Sequence, residues 1–234
     1  MNKATGAVRR SSHRHRRTPH DYLPGCAHDR LLPLYDLVQR LFGVPEQHRT
    51  LVDFAGLNRS RRTLEIGCGT GNLAILAKRL HPETEMVGID PDQLALTRAR
   101  HKASRGGIAI SFDHGYGQDL PYPDATFDRV LSAFMFHHLE PDTKRATLRE
   151  ALRVLTPGGS LHLVDFGGRV RATDGLMARL QRRSQRVRDN LGDAIPNLMR
   201  EAGFTDPAEL TSRVSWAGRI TFYEAVRGIP GSTG

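Results

Sequence analysis

A chain of 234 residues, 38% hydrophobic and 25% charged, is long enough to bury a substantial core and fits one mid-sized domain. It has no apolar run near the roughly 18 residues of a membrane span and no apolar signal segment at its start. Its two cysteines, Cys26 and Cys68, are too few for a disulfide scaffold or a four-cysteine zinc site, so a reducing, cytoplasmic setting is expected.

The net charge of +9 is concentrated at one end. Residues 1–20 hold Lys3, Arg9, Arg10, Arg14, Arg16 and Arg17 and no acid; setting those six aside leaves 28 basic against 25 acidic residues, a net of +3. This stretch lacks large apolar side chains and reads as a disordered basic tail, a solvated end or an arm for anionic partners. His13 and His15 do not make a metal site.

Residues 21–234 read as one domain. In 27–57, Leu31, Leu34, Tyr35 and Val38 recur at helical spacing, with a second short helix over 46–56, and this region is expected to form an N-terminal helical lid. From residue 62 strands alternate with helices. The strands are expected at Thr63–Ile66, Glu85–Ile89, Ile108–Phe112, Phe127–Ala133 and Ser160–Phe166. Between them Leu73, Leu76, Ala77 and Leu80, and later Leu148, Ala151, Leu152 and Leu155, give amphipathic helix faces. Pro157-Gly158-Gly159 reads as a turn that launches the fifth strand. Residues 172–193 read as a basic helical insert carrying Arg182, Arg183, Arg186 and Arg188. A helix from Pro196 to Ala202 stops at Gly203, and two closing strands, Glu209–Ser215 and Arg219–Val226, form a hairpin-like end. The pattern predicts an α/β fold: a Rossmann-like, doubly wound, seven-stranded sheet, mostly parallel with an antiparallel C-terminal strand.

The sharpest local signal is Leu64-Glu65-Ile66-Gly67-Cys68-Gly69-Thr70-Gly71, between a strand and a helix. Glycines there let the backbone turn tightly beneath a ligand at the strand's carboxyl end. Position 72 is Asn, so the third glycine of the dinucleotide fingerprint is missing. Glu65 would repel a pyrophosphate and suits an amine or a sulfonium instead. Asp90, 19 residues after Gly71, ends the next strand, where an acid can accept both ribose hydroxyls. It can equally cap the following helix, with Pro91 at the first position.

These residues, with VGIDPD at 87–92, LPYPDATFD at 120–128, FHHL at 136–139 and LREALRVLTPGGSLHLVDF at 148–166, resemble the class I S-adenosylmethionine-dependent methyltransferases. The resemblance is to the branch with the ubiquinone/menaquinone C-methyltransferases and many small-molecule enzymes, and it is strong over about residues 62–166. It implies S-adenosylmethionine as methyl donor, S-adenosylhomocysteine as product, no metal, and a small-molecule or lipid-like acceptor attacked at O, N or C. Glu65, Gly67, Cys68 and Gly69 would surround the methionine portion and ribose. Asp90 would hold the ribose hydroxyls, with Pro91 beside the adenine and Tyr116 and Gly117 at its edge. Many relatives carry Asp at the Tyr116 position. Ser132 and Ala133 would face the methionine end. His137 or His138 follows the fourth strand, where a histidine could take the acceptor's proton, or could simply pack or order the loop. Asp165 would orient substrate or cap the next segment, and Tyr35 would line the acceptor site or belong to its helix stripe.

Two other readings stay open. One is an RNA or protein methyltransferase aided by the basic tail, although Phe134-Met135-Phe136-His137-His138 stands where amino-directed nucleic-acid enzymes carry Asn/Asp-Pro-Pro-aromatic. The other is a binding or scaffold protein on a methyltransferase fold, against which the paired Glu65 and Asp90 argue. A nucleic-acid partner is not the expected one, and oligomeric state has no signature.

Overall fold

The computed structural model describes residues 44–169, 189–215 and 218–231. The tail at 1–20, Tyr35 and the rest of the expected lid before residue 44, and most of the 172–193 insert lie outside them.

Helix α1 (Val44–Ala55) leads into β1 (Arg62–Ile66), α2 (Asn72–Leu80), β2 (Glu85–Asp90), α3 (Gln93–Arg105) and β3 (Ser111–His114). Then come β4 (Phe127–Ala133), α4 (Pro141–Val154), β5 (Leu155–Phe166), α5 (Ala194–Ala202), β6 (Thr205–Ser215) and β7 (Gly218–Val226). The seven strands lie in the order β3-β2-β1-β4-β5-β7-β6. β1 to β5 pair in parallel, and β7 runs antiparallel to both β5 and β6. Chain order reverses between β1 and β4, which opens the crevice where such sheets bind ligands.

The sheet is covered on both faces, so β1 and β2 are buried along nearly their whole length and β4 over its second half. On one face Leu51 and Val52 of α1, Leu73 and Ala77 of α2, and Leu96 and Ala99 of α3 form one core. On the other, Leu148 and Ala151 of α4 and Ile195 and Met199 of α5 pack with Leu64, Val87 and Val130. Each fully buried aliphatic side chain contributes about 1.5–3 kcal/mol.

Four boundaries differ from the sequence expectation. Residues 108–110 approach the sheet without pairing, and β3 begins only where Ser111 meets Val87; Ile108 and Ile110 pack against the core as a lead-in. Pro157-Gly158-Gly159 lies within β5 rather than before it, because Gly158 and Gly159 bond the Arg227 backbone and carry the strand through a register shift. β6 starts earlier, at Thr205, and its pairing with β7 is irregular around Asp206 and Pro207. Residues 189–193, expected at the end of a helix, form turns and an isolated bridge from Leu191 to Gly168.

Candidate functional site

The glycine loop joins β1 to α2 at the carboxyl edge. Gly67, Gly69 and Gly71 have φ of +76°, +50° and +76°, a region that side chains with a Cβ rarely enter. A Cβ on Gly67 would also lie 2.4 Å from the Cγ of Met135, which drapes over the loop; a Cβ on Gly69 would meet nothing within 4 Å. The loop is thus walled on one side and open on another. Gly67 and Cys68 donate their N–H groups to the Ile89 carbonyl, which anchors the loop to β2. The Cys68 side chain packs behind Gly88, and burial pushes its thiol well up, so the side chain faces the core and only the backbone lines the loop.

Glu65 is buried under this loop. It accepts from the backbone N–H of Ala74 in the first turn of α2, while Oε2 is buried with no partner. Burial raises its carboxyl well above the usual range, the Ala74 bond opposes the rise, and Asp90 adds to it. A buried carboxylate oxygen without a donor is costly, and a cationic ligand would relieve it.

Asp90 ends β2. Its Oδ2 accepts from Gly69 N at 2.8 Å and its Oδ1 from Asp92 N at 2.8 Å. The alternative cap role falls to Asp92, whose Oδ1 accepts from Leu94 N and Ala95 N and stabilises α3 by about 1 kcal/mol. Burial raises Asp90, and its two backbone bonds oppose that. Beside it, His114 Nε2 lies 3.1 Å from the Pro91 carbonyl, and the half-buried Tyr116 ring stands 6.4 Å from the His114 ring. Gly117 is pressed against Ile66 and Thr147.

Beyond β4 the chain turns sharply at Phe134, with φ +54° on a bulky residue, and enters a 3₁₀ turn over Phe136–His138. That turn aims His137 at β5. Its Nδ1 lies 2.6 Å from Asp165 Oδ1, and its backbone N donates to Asp165 Oδ2 at 3.1 Å. Asp165 Oδ1 also accepts from Phe166 N at 2.6 Å, and the residue is 0% exposed. An acceptor-only carboxylate assigns the proton of His137 to Nδ1, leaving Nε2 as the basic nitrogen on a side chain 15% exposed. The His138 ring lies tilted beside that of His137, 4.0 Å between centres; Phe166 meets His137 edge-on at 5.2 Å, and Phe134 in turn lies against Phe166 at 5.6 Å.

Asp165 is fully buried, and its oxygens are turned to His137 and to the Phe166 N–H that follows it. Ser132 does not offer its hydroxyl to a ligand; the group is buried and bonds the Ile66 carbonyl at 3.2 Å, stitching β4 to β1. Ala133 follows it, partly buried against the core. Met135, Phe134 and Phe166 were not singled out from sequence, because nothing in the pattern marks an apolar residue at a positive φ or one lying over a loop. Among the described residues no cluster of three metal-binding side chains occurs, and no helix is long and apolar enough to cross a membrane.

This arrangement suits a nucleoside that carries a cation rather than a phosphate. A family profile described as a methyltransferase domain matches residues 63–159. The demethylmenaquinone methyltransferase of Thermus thermophilus is 38% identical over 170 residues, 70% of this chain and 74% of that protein. Its counterpart in Deinococcus radiodurans is 41% identical over 139 residues, 58% of this chain and 57% of the relative. The ubiquinone/menaquinone biosynthesis C-methyltransferase of Syntrophotalea carbinolica is 28% identical across 90% of this chain and 98% of its own length. Among solved structures, the [4+2]-cyclase SpnF aligns with TM-score 0.64 and 20% identity over 79% of this chain and 81% of its own. That likeness shows the fold alone.

The chain belongs to the class I S-adenosylmethionine-dependent methyltransferases of the ubiquinone/menaquinone type. It is an enzyme that transfers methyl groups to a small-molecule acceptor.

Proposed function

We propose that the acceptor is a hydroxylated aromatic or enolisable small molecule, methylated at an acidic oxygen or at the adjoining carbon, with His137 as general base. The observation that carries this is the 2.6 Å contact between His137 Nδ1 and the fully buried Asp165. An amine acceptor needs no base once neutral; a hydroxyl or an activated carbon does. His138 and Phe166 beside His137, with Phe134 against Phe166, make a ring wall that suits a planar acceptor.

The residues at the edge fit S-adenosylmethionine. Glu65 Oε2, buried and unpartnered, would take its ammonium group. Asp90, with each oxygen committed to one N–H, keeps lone pairs for the ribose hydroxyls. Tyr116 and Pro91 flank the place of the base. Gly67, Gly69 and the Cys68 backbone would form the floor, with Met135 over it. When bound, the donor supplies a methyl group activated on a sulfonium. The chain aligns the acceptor, excludes water with Met135 and the phenylalanines, and receives the acceptor's proton at His137 Nε2. Asp165 stabilises the imidazolium that results.

The test is a panel of naphthols, phenols and amines assayed with methyl-labelled donor. Label is expected in the naphthol and phenol products, and His137→Ala is expected to lower kcat about 100-fold or more with S-adenosylhomocysteine affinity unchanged. Transfer to amines alone, or His137→Ala turnover within about threefold of wild type, overturns the reading.

A further inference from the structure

Lys144 stands on the first turn of α4 and is 0% exposed. Its ammonium donates to Asn190 Oδ1 at 2.7 Å and lies 5.7 Å from the centre of the Phe136 ring. A neutral amide and a ring face are modest compensation for a buried cation, which costs several kcal/mol to desolvate. Asp189, Asp165 and Glu140 act on it at longer range. An apolar side chain of similar length would occupy this space without a buried charge, so packing alone does not account for the lysine.

What Lys144 joins accounts for it. Asn190, also 0% exposed, donates its Nδ2 to the Phe166 carbonyl at 3.2 Å. Phe166 N donates to Asp165 Oδ1, the same oxygen that meets His137 Nδ1. Hydrogen bonds on either side of the Phe166 backbone therefore link Lys144 to His137: Lys144 to Asn190 and Asn190 to the Phe166 carbonyl, then the Phe166 N–H to Asp165 and Asp165 to His137. Lys144 also supports Phe136, the residue before His137, from below. The lysine thus touches the turn that carries the histidine and, through Asn190, reaches the strand end that carries the aspartate.

Asn190 reaches this position because segment 189–193 is fastened to the end of β5. Gly168 N donates to Asn190 O at 3.2 Å, and Gly192 N to Gly168 O at 2.9 Å. Arg169 pairs with Asp193 at 2.7 Å. The approach is close: a Cβ on Gly167 would lie 2.6 Å from the Asn190 carbonyl oxygen.

We infer that Lys144 and Asn190 are positioning residues for His137, holding the dyad at one spacing while segment 189–193 is docked on β5. The inference rests on His137 being the base, but its physical core is the order of the imidazole, which can be read without any acceptor. The experiment follows the His137 ring in the ¹⁵N-histidine-labelled full chain saturated with S-adenosylhomocysteine. In the wild type one tautomer is expected, with an Nδ1–H sheltered from solvent exchange. Lys144→Met removes the charge and keeps an unbranched chain. Asn190→Asp keeps an acceptor for Lys144 and removes the donor to Phe166. In both, exchange of the His137 Nδ1–H is expected to rise at least tenfold, with both tautomers present and S-adenosylhomocysteine affinity within about twofold of wild type. A folded Lys144→Met that keeps the sheltered single tautomer overturns the inference. Should that variant fail to fold, the same retention in Asn190→Asp overturns it. If instead the base reading fails, His137→Ala keeps its turnover while the tautomer result stands.

Discussion

Asp90 Oδ2 reaches across the sheet edge to the N–H of Gly69, 2.8 Å away, and so ties the acid that ends β2 to the middle of the β1–α2 loop. One carboxylate thereby shapes the loop and presents an acceptor to it. Asp90→Ala removes both functions, along with the bond to Asp92 N. Loss of charge-assisted bonds worth about 1.5–3 kcal/mol each predicts S-adenosylhomocysteine binding weaker by about 100-fold. Asp90→Asn is expected to lose nearly as much, since its amide NH₂ must face one of the two backbone N–H donors. Isothermal titration decides it; an affinity within about threefold of wild type in either variant removes Asp90 from the site.

Glu65 carries the next expectation. Burial holds its carboxyl well above the usual carboxylate range in the free protein. An arriving ammonium favours the ionised form, so binding in the window between the ordinary and the raised value must expel a proton. The sign is release, not uptake. Binding heats measured in buffers of different ionisation enthalpy are expected to show it, and the dependence is expected to vanish in Glu65→Gln, with affinity down about tenfold. Equal proton release in Glu65→Gln would assign it to another group.

Much of this edge was legible in the chain itself. β1, β2 and β4 bury most of their residues between the two helical layers, and their ends fall within a residue of where the pattern puts them. The glycine loop and the two acids announce themselves by type and spacing. What the pattern could not resolve is direction. Asp90 and Asp92 are two residues apart and either can cap α3; only the backbone turn at Pro91 hands the cap to Asp92. His137 and His138 are equivalent in sequence, and the 3₁₀ turn after Phe134 decides which one meets Asp165. Lys144 and Asn190 lie 46 residues apart, and nothing local to either marks the bond between them.

In the proposed site Tyr116 stands where the donor's base would be read. A carboxylate at this place accepts only, and demands an amino group opposite it. A tyrosine hydroxyl both donates and accepts, and tolerates a carbonyl as well. Wild-type protein is therefore expected to bind S-inosylhomocysteine within about fivefold of S-adenosylhomocysteine, and Tyr116→Asp to widen that preference by about tenfold or more. A wild-type preference already above about 100-fold would show that other groups read the base.

Acid stability tests the two buried histidines. Burial lowers His48, whose ring lies tilted 6.4 Å from that of Phe134, to about 4, and His162, bonded to Ser160, to about 3. Both are neutral in the fold, and both gain protons on unfolding below about pH 6.5. The folded values are depressed, so their stabilisation is complete above pH 6.5 and is lost progressively as pH falls towards 4 and 3. Between pH 6.5 and pH 5 each loses about 2 kcal/mol, a large share of a marginal total of about 5–15. Glu65 and Asp90, raised by burial, work in the opposite sense, since the fold holds their protons more tightly than the unfolded chain. The raw slope therefore mixes signs, and the comparison that isolates the histidines is wild type against His48→Leu with His162→Gln. Urea midpoints are expected to drop more between pH 7 and pH 5 in the wild type than in the double variant, by an amount equivalent to about 3–4 kcal/mol. Parallel pH dependences would mean that neither imidazole is kept neutral by the fold.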